Sequence, residues 1–167
     1  QFPSARLVFI VRDPYANLVS FRKFITRGGR YPSLTQPVRT LEMAFQFAAL
    51  YRDRFPDMKL MRYEDLLLDP RGTMADLSAF LGIQWHEGLL LPTTMGEPWT
   101  GNSVFAQPMH GISTSSMMKW KDEIQAVEAA LVSRSGLADL MSLFGYKVTS
   151  LTGYWRPCRH ERFSTYL

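Results

Sequence analysis

The sequence predicts an α/β protein built on a parallel sheet, with only part of that sheet in this chain and helix over most of the remainder. Three observations carry this. An unbroken apolar run, Leu7-Val-Phe-Ile-Val11, stops at Arg12-Asp13-Pro14 and passes straight into helical spacing. A second short segment of strand character, Met58-Lys-Leu-Met-Arg62, follows a long helical stretch, an order that requires a crossover and hence parallel pairing. The other apolar residues recur mostly at steps of three and four, the period of a helix.

Taken in order, Gln1 to Arg6 is a lead-in, and Leu7–Val11 reads as a strand buried on both faces. Asp13 is a good N-cap and Pro14 suits the first helical position, where no amide bond is lost. The helix that follows runs to about Ile25, with Leu18, Phe21, Phe24 and Ile25 on one side. Arg12 therefore stands at the carboxyl end of a strand just as a helix begins, which is where open α/β sheets bind ligands. Beside helix amides and the Ser20 hydroxyl, it forms a seat for a phosphate. Pairing of Arg12 with a nearby carboxylate explains the same residue equally well.

Thr26 to Ser33 is a loop punctuated by Gly28, Gly29 and Pro32. Thr40 to Phe55 reads as a helix whose stripe is Leu41, Ala44, Phe45, Ala48, Tyr51 and Phe55, ended by Pro56. The strand Met58–Arg62 then ends in Tyr63-Glu64-Asp65. Tyr63 offers a ring and a hydroxyl to a ligand, or equally supports the loop from within. Glu64 and Asp65 read as caps and charge partners. Asp69-Pro70 repeats the cap-then-proline start of a helix that runs to Leu81, with Met74, Leu77, Phe80 and Leu81 as its buried side and Gly82 placed at C′. Gln84 to Ser116 reads as one long loop, with candidate anion-binding hydroxyls and amides in Glu97–Ser103 and Gly111–Ser116. Ser115 or Ser116 caps a helix carrying Met117, Trp120, Ile124, Val127 and Leu131. Ser135-Gly136 breaks it, and Leu137–Phe144 is a last short helix before Gly145. Residues 147–167 form a tail without a clear period.

The 167 residues fit one domain able to bury a core. Hydrophobic residues at 46% and charged residues at 20% exclude a disordered chain. A net charge of +4 suits an anionic ligand, and no zinc spacing or arginine-rich run points to nucleic acid. Cys158 is the single cysteine, so neither an intrachain disulfide nor a cysteine-cluster metal site is expected. His86, His110 and His160 read as surface histidines. No apolar run approaches the roughly 20 residues of a membrane span. The chain begins Gln-Phe-Pro without an initiator methionine or a signal peptide, the start expected of a fragment.

Several of these motifs together resemble the sulfotransferase family. Arg12-Asp13-Pro14 after a hydrophobic strand, with Ser20 eight residues past the arginine, is similar to the family's 3′-phosphate-binding strand and helix. Tyr63-Glu-Asp-Leu66 followed by Asp69-Pro70, Phe80-Leu-Gly82, and Leu143-Phe-Gly-Tyr146 are similar to later family segments, in the right order. Lys119-Trp120 resembles the tyrosylprotein branch, whereas the glycine-rich Arg-Lys-Gly element of the cytosolic branch is absent. The resemblance spans most of residues 2–146.

It implies the P-loop-like sulfotransferase fold, with 1–146 as the C-terminal part of the domain and 147–167 as a tail. It implies 3′-phosphoadenosine 5′-phosphosulfate as co-substrate, with no metal, and a hydroxyl or amine acceptor. Arg12 and Ser20 would hold the 3′-phosphate, Tyr63 would contact the nucleotide, and Lys119 would approach the same phosphate. On its residues alone, Lys119 reads equally as a solvated surface lysine. The family places its first strand, its 5′-phosphosulfate loop and usually its catalytic base further N-terminal, so no catalytic residue is assigned. Two other readings stay open: a non-catalytic binding or interaction domain derived from this fold, and a kinase-type phosphotransferase of the wider P-loop group. A soluble domain of the cytoplasm or Golgi lumen is expected, of undetermined oligomeric state.

Overall fold

The computed structural model describes residues 5–26, 33–99, 112–114 and 117–149. Strand β1 spans Leu7–Val11 and passes through Arg12 and Asp13 into helix α1, Pro14–Ile25. Asp13 caps α1 as expected, its Oδ1 accepting the Tyr15 amide at 2.8 Å and the Ala16 amide at 3.4 Å. Such a cap contributes about 1 kcal/mol. After α2, Thr35–Tyr51, the chain returns as β2, Met58–Arg62, and pairs with β1 in parallel. The register runs from Leu7 opposite Met58 to Val11 opposite Arg62, so both strands end at the same edge.

Helix α3, Tyr63–Leu68, starts directly from β2, and α4, Pro70–Leu81, follows with Asp69 accepting the Gly72 amide at 2.9 Å. Gly82 ends α4 at φ 69°, the left-handed conformation expected at that position. A 3₁₀ turn at Glu87–Leu90 leads to a small hairpin of β3, Thr93–Thr94, and β4, Glu97–Pro98. Beyond it, α5 is Trp120–Glu123, α6 is Ala126–Ser133 and α7 is Leu137–Leu143.

The core gathers Val11, Tyr15, Leu18 and Val19 against Val38, Phe45 and Ala48 of α2, and against Trp120, Ala129, Val132, Leu137 and Met141 from the C-terminal helices. Phe45 meets Phe144 edge-on at 5.1 Å between ring centroids, and Tyr15 stacks on Trp120 at 5.1 Å and 14°. This second stack fastens the Lys119-Trp120 segment to the first turn of α1.

Several expectations give way. Strand β1 is not buried on both faces: Leu7 is 47% and Ile10 57% exposed. Among the described residues β1 has one strand neighbour, and Phe9 packs on Phe47 of α2 while Ile10 faces away. The buried stripe of α1 is Tyr15, Leu18 and Val19, extended by Arg22, whereas Phe24 is 59% exposed. Helix α2 begins five residues before Thr40, because Pro37 falls in its first turn, where no intrahelical N–H bond is lost. It ends at Tyr51, ahead of Pro56. The Tyr63–Leu68 segment is helical, and the long 84–116 segment holds the 3₁₀ turn and the hairpin. Their sequences carry no apolar period long enough to announce them.

The helix drawn through Met117–Leu131 is two helices. Arg22 of α1 donates from Nη2 to the Glu123 carbonyl at 2.7 Å and from Nε to Glu128 Oε1 at 2.6 Å. The other Glu128 oxygen accepts the Gln125 amide at 2.8 Å, a capping box that restarts the helix at Ala126. Glu128 is fully buried, and Val127, expected on the apolar stripe, is exposed. The Ser115 and Ser116 cap, both candidate loops near 97–103 and 111–116 beyond Trp99 apart from 112–114, and the tail after Thr149 lie outside the described residues.

Candidate functional site

The edge where β1 and β2 end gathers two of the four candidate residues. One position beyond the Val11–Arg62 pair stand Arg12 and Tyr63. The Arg12 guanidinium lies over the Tyr63 ring, 5.0 Å from its centroid. A cation on an aromatic face gains about 0.5–1 kcal/mol at a partly exposed site, and more when desolvated. Among the described residues no carboxylate pairs with Arg12 within 4.0 Å. The simple ion-pair explanation of Arg12 therefore has no partner in this part of the molecule. The ring of Tyr63, considered above as a surface for a ligand, has a face occupied by Arg12 instead.

Ser20 lies on α1 two turns after Pro14, partly exposed. Lys119 is exposed at the position preceding α5. It is tied to α1 through the neighbouring Trp120 and its stack on Tyr15. The structure thus brings Arg12 and Tyr63 into contact, places Ser20 on the helix that Arg12 opens, and links Lys119 to that helix through one residue.

The helix amides expected to help seat an anion are already taken. Asp13 occupies those of Tyr15 and Ala16, and its own amide donates to Glu64 Oε1 at 2.9 Å. Burial holds the Asp13 carboxyl above its ordinary range, assisted by the Glu64 charge, while its two amide bonds and Arg12 pull the other way. An anion at this edge therefore depends on side chains, chiefly the Arg12 guanidinium, rather than on the end of α1.

Glu64 is the residue here whose importance the sequence leaves unmarked. It is 8% exposed, and its second oxygen accepts the Tyr146 hydroxyl at 2.6 Å. Arg62 lies over the Tyr146 ring at 4.7 Å from its centroid, with Asp65 3.7 Å from Nη1. The Arg62 Nε is buried without a hydrogen-bond partner among the described residues. Burial and the bond to Glu64 push the Tyr146 hydroxyl far above its ordinary pKa, so it remains a donor. A buried carboxylate beside a strand end was visible only as an acidic pair, Glu64-Asp65; its partner is 82 residues away.

The family model described as "Sulfotransferase family" matches residues 1–87, more than half of the chain. The chain belongs to the sulfotransferase family. No curated protein matches it. Among solved structures it is similar to the sulfotransferase domain from the curacin biosynthetic pathway, at 18% identity and a TM-score of 0.58 over 86% of this chain and 54% of that one. It is also similar to the sulfotransferase domain from the Synechococcus PCC 7002 olefin synthase, at 21% identity and a TM-score of 0.57 over 87% of this chain and 50% of the other. The sulfotransferase fold is therefore present, and the chain spans about half the length of the structures it matches. No described helix is long and apolar enough to cross a membrane.

Proposed function

We propose that this chain forms the 3′-phosphate-binding side of a sulfotransferase that uses 3′-phosphoadenosine 5′-phosphosulfate. In the reaction a hydroxyl or amine acceptor attacks the sulfur, the bond from sulfur to the nucleotide phosphate oxygen breaks, and the acceptor loses a proton. Arg12 and Ser20 hold the nucleotide's 3′-phosphate. Tyr63 orients Arg12 from beneath and borders the nucleotide, and Lys119 adds a positive charge to the same phosphate. Residues 1–146 are the C-terminal part of the domain, and 147–167 are a tail fastened at its start by the Thr149 amide, which donates to Tyr15 Oη at 3.0 Å. The chain's assigned residues bind and orient; no proton transfer is assigned to them.

The observation that supports this reading is the Arg12 guanidinium, set at the carboxyl edge of the sheet on an aromatic ring with no described carboxylate to neutralise it. Calorimetry with adenosine 3′,5′-bisphosphate against 5′-AMP tests it. The bisphosphate binds more tightly, and Arg12→Ala removes about 1.5–3 kcal/mol of that difference, the range of a charge-assisted hydrogen bond. Equal affinity for the two nucleotides overturns the assignment.

A further inference from the structure

The buried Glu64 carboxylate has a geometry that the binding residues alone do not account for. Its Oε1 accepts the Asp13 amide at 2.9 Å, and that amide belongs to the peptide joining Asp13 to Arg12. Its Oε2 accepts the Tyr146 hydroxyl at 2.6 Å. Glu64 also directly follows Tyr63, whose ring carries the Arg12 guanidinium. One carboxylate therefore touches the backbone of Arg12 on one side and is chained to the Tyr63 platform on the other. Resting on the reading of Arg12 given above, we propose that Glu64 is a positioning residue. It holds the Arg12–Asp13 peptide against the end of β2 so that the guanidinium meets Tyr63 and faces an incoming phosphate.

Three features favour positioning over other roles for this acid. Both oxygens already accept donors from the protein, and at 8% exposure the carboxylate is withdrawn from solvent and from any acceptor hydroxyl, so it does not serve as a general base. Removing it strands the Asp13 amide in a part-buried site where the Asp13 carboxylate is committed to the Tyr15 and Ala16 amides. Finally, Tyr146 is oriented independently, by the left-handed turn at Gly145 (φ 74°) and by Arg62 over its ring. Tyr146 thus aims the carboxylate, and the carboxylate aims the turn.

The test measures the preference for adenosine 3′,5′-bisphosphate over 5′-AMP in the whole chain, for the wild type, Arg12→Ala, Glu64→Gln and Tyr146→Phe. Glu64→Gln keeps the shape and an oxygen for Asp13 but replaces the charged acceptor of the Tyr146 O–H by an amide donor. Tyr146→Phe deletes one oxygen. Each is expected to lower the preference by about fivefold, the equivalent of one neutral hydrogen bond, with 5′-AMP affinity changed less than about twofold. A role confined to stability would lower the melting temperature and leave the preference intact, and that result overturns the inference. Equal losses for both nucleotides overturn it as well. A preference abolished by Arg12→Ala but kept by both other variants leaves the phosphate assignment standing and removes Glu64 from it. A wild type without preference removes both. If Glu64→Gln does not fold, the milder Tyr146→Phe decides alone.

Discussion

Two arginines end the two adjacent strands, and they have opposite surroundings. Arg62 is partnered on several sides: the Tyr146 ring lies under it, Asp65 is 3.7 Å away, and a Cβ on Gly145 would come within 3.3 Å of its Nη1. Arg12, one residue beyond the register pair, has an aromatic ring beneath it and no described carboxylate opposite. The difference follows from where the acids go. Asp13 turns its carboxylate back onto α1, and Glu64 spends both oxygens on an amide and a hydroxyl. The carboxylate next to Arg12 in sequence and the one next to Tyr63 are thus both diverted, and no described carboxylate pairs with Arg12. A cation at a sheet edge without a paired carboxylate attracts an anion; a paired one fastens the fold.

The widest separation between the two is expected from the pair Arg12→Ala and Arg62→Ala. The first removes about 1.5–3 kcal/mol of bisphosphate preference and hardly alters the melting temperature. The second lowers the melting temperature and reduces the preference by no more than the roughly fivefold expected of Tyr146→Phe, as calorimetry and thermal unfolding together report. If Arg62→Ala removes the preference, the contrast is misdrawn.

Gly145→Ala should cost about 1–2 kcal/mol of stability, since a side chain is forced into the left-handed region and against Arg62. Denaturant unfolding measures it, and a neutral result would mean that the packing around Arg62 is loose. A smaller effect is expected beneath Arg12. Tyr63→Leu weakens bisphosphate binding by about 0.5–1 kcal/mol, while Tyr63→Phe, which keeps a ring, is close to wild type. Loss in both variants would shift the role from the ring to the hydroxyl.

The least effect is a pH dependence. The folded state holds the Tyr146 proton more tightly than the unfolded chain does, so its contribution is complete below the unfolded value of about 10 and is lost as pH rises above it. Unfolding curves of wild type and Tyr146→Phe are therefore expected to converge in alkaline solution. Parallel curves would show that the Tyr146–Glu64 bond does not couple to folding.

Much of the scaffold was readable because its signals are local. Leu7–Val11 and Met58–Arg62 are short runs bounded by polar residues, and Asp13-Pro14, Asp69-Pro70 and Gly82 mark helix ends by their own backbone requirements. Arg12 was legible as a candidate because a strand's last residue and a helix's first are fixed by these same signals. The split between α5 and α6 was not legible, because it depends on Arg22 reaching a carbonyl 101 residues on and on Glu128 folding back on Gln125. Apolar spacing runs through Ile124 without interruption and gives no warning of it.

What the sequence determined by itself, then, is the succession β1, α1, α2, β2 and α4, the parallel pairing of the two strands and the presence of an arginine where they end. The elements and their ends depend on residues within a few positions of one another, and the parallel pairing follows from their succession. Tertiary structure decided which arginine keeps its charge available, which ring it rests on and which acid is withdrawn into the interior. Such outcomes require groups far apart in the chain, Glu64 with Tyr146 or Arg22 with Glu128, to share a space that water has left. A buried charge or hydroxyl must find a partner there, and only the folded arrangement determines which partners are within reach.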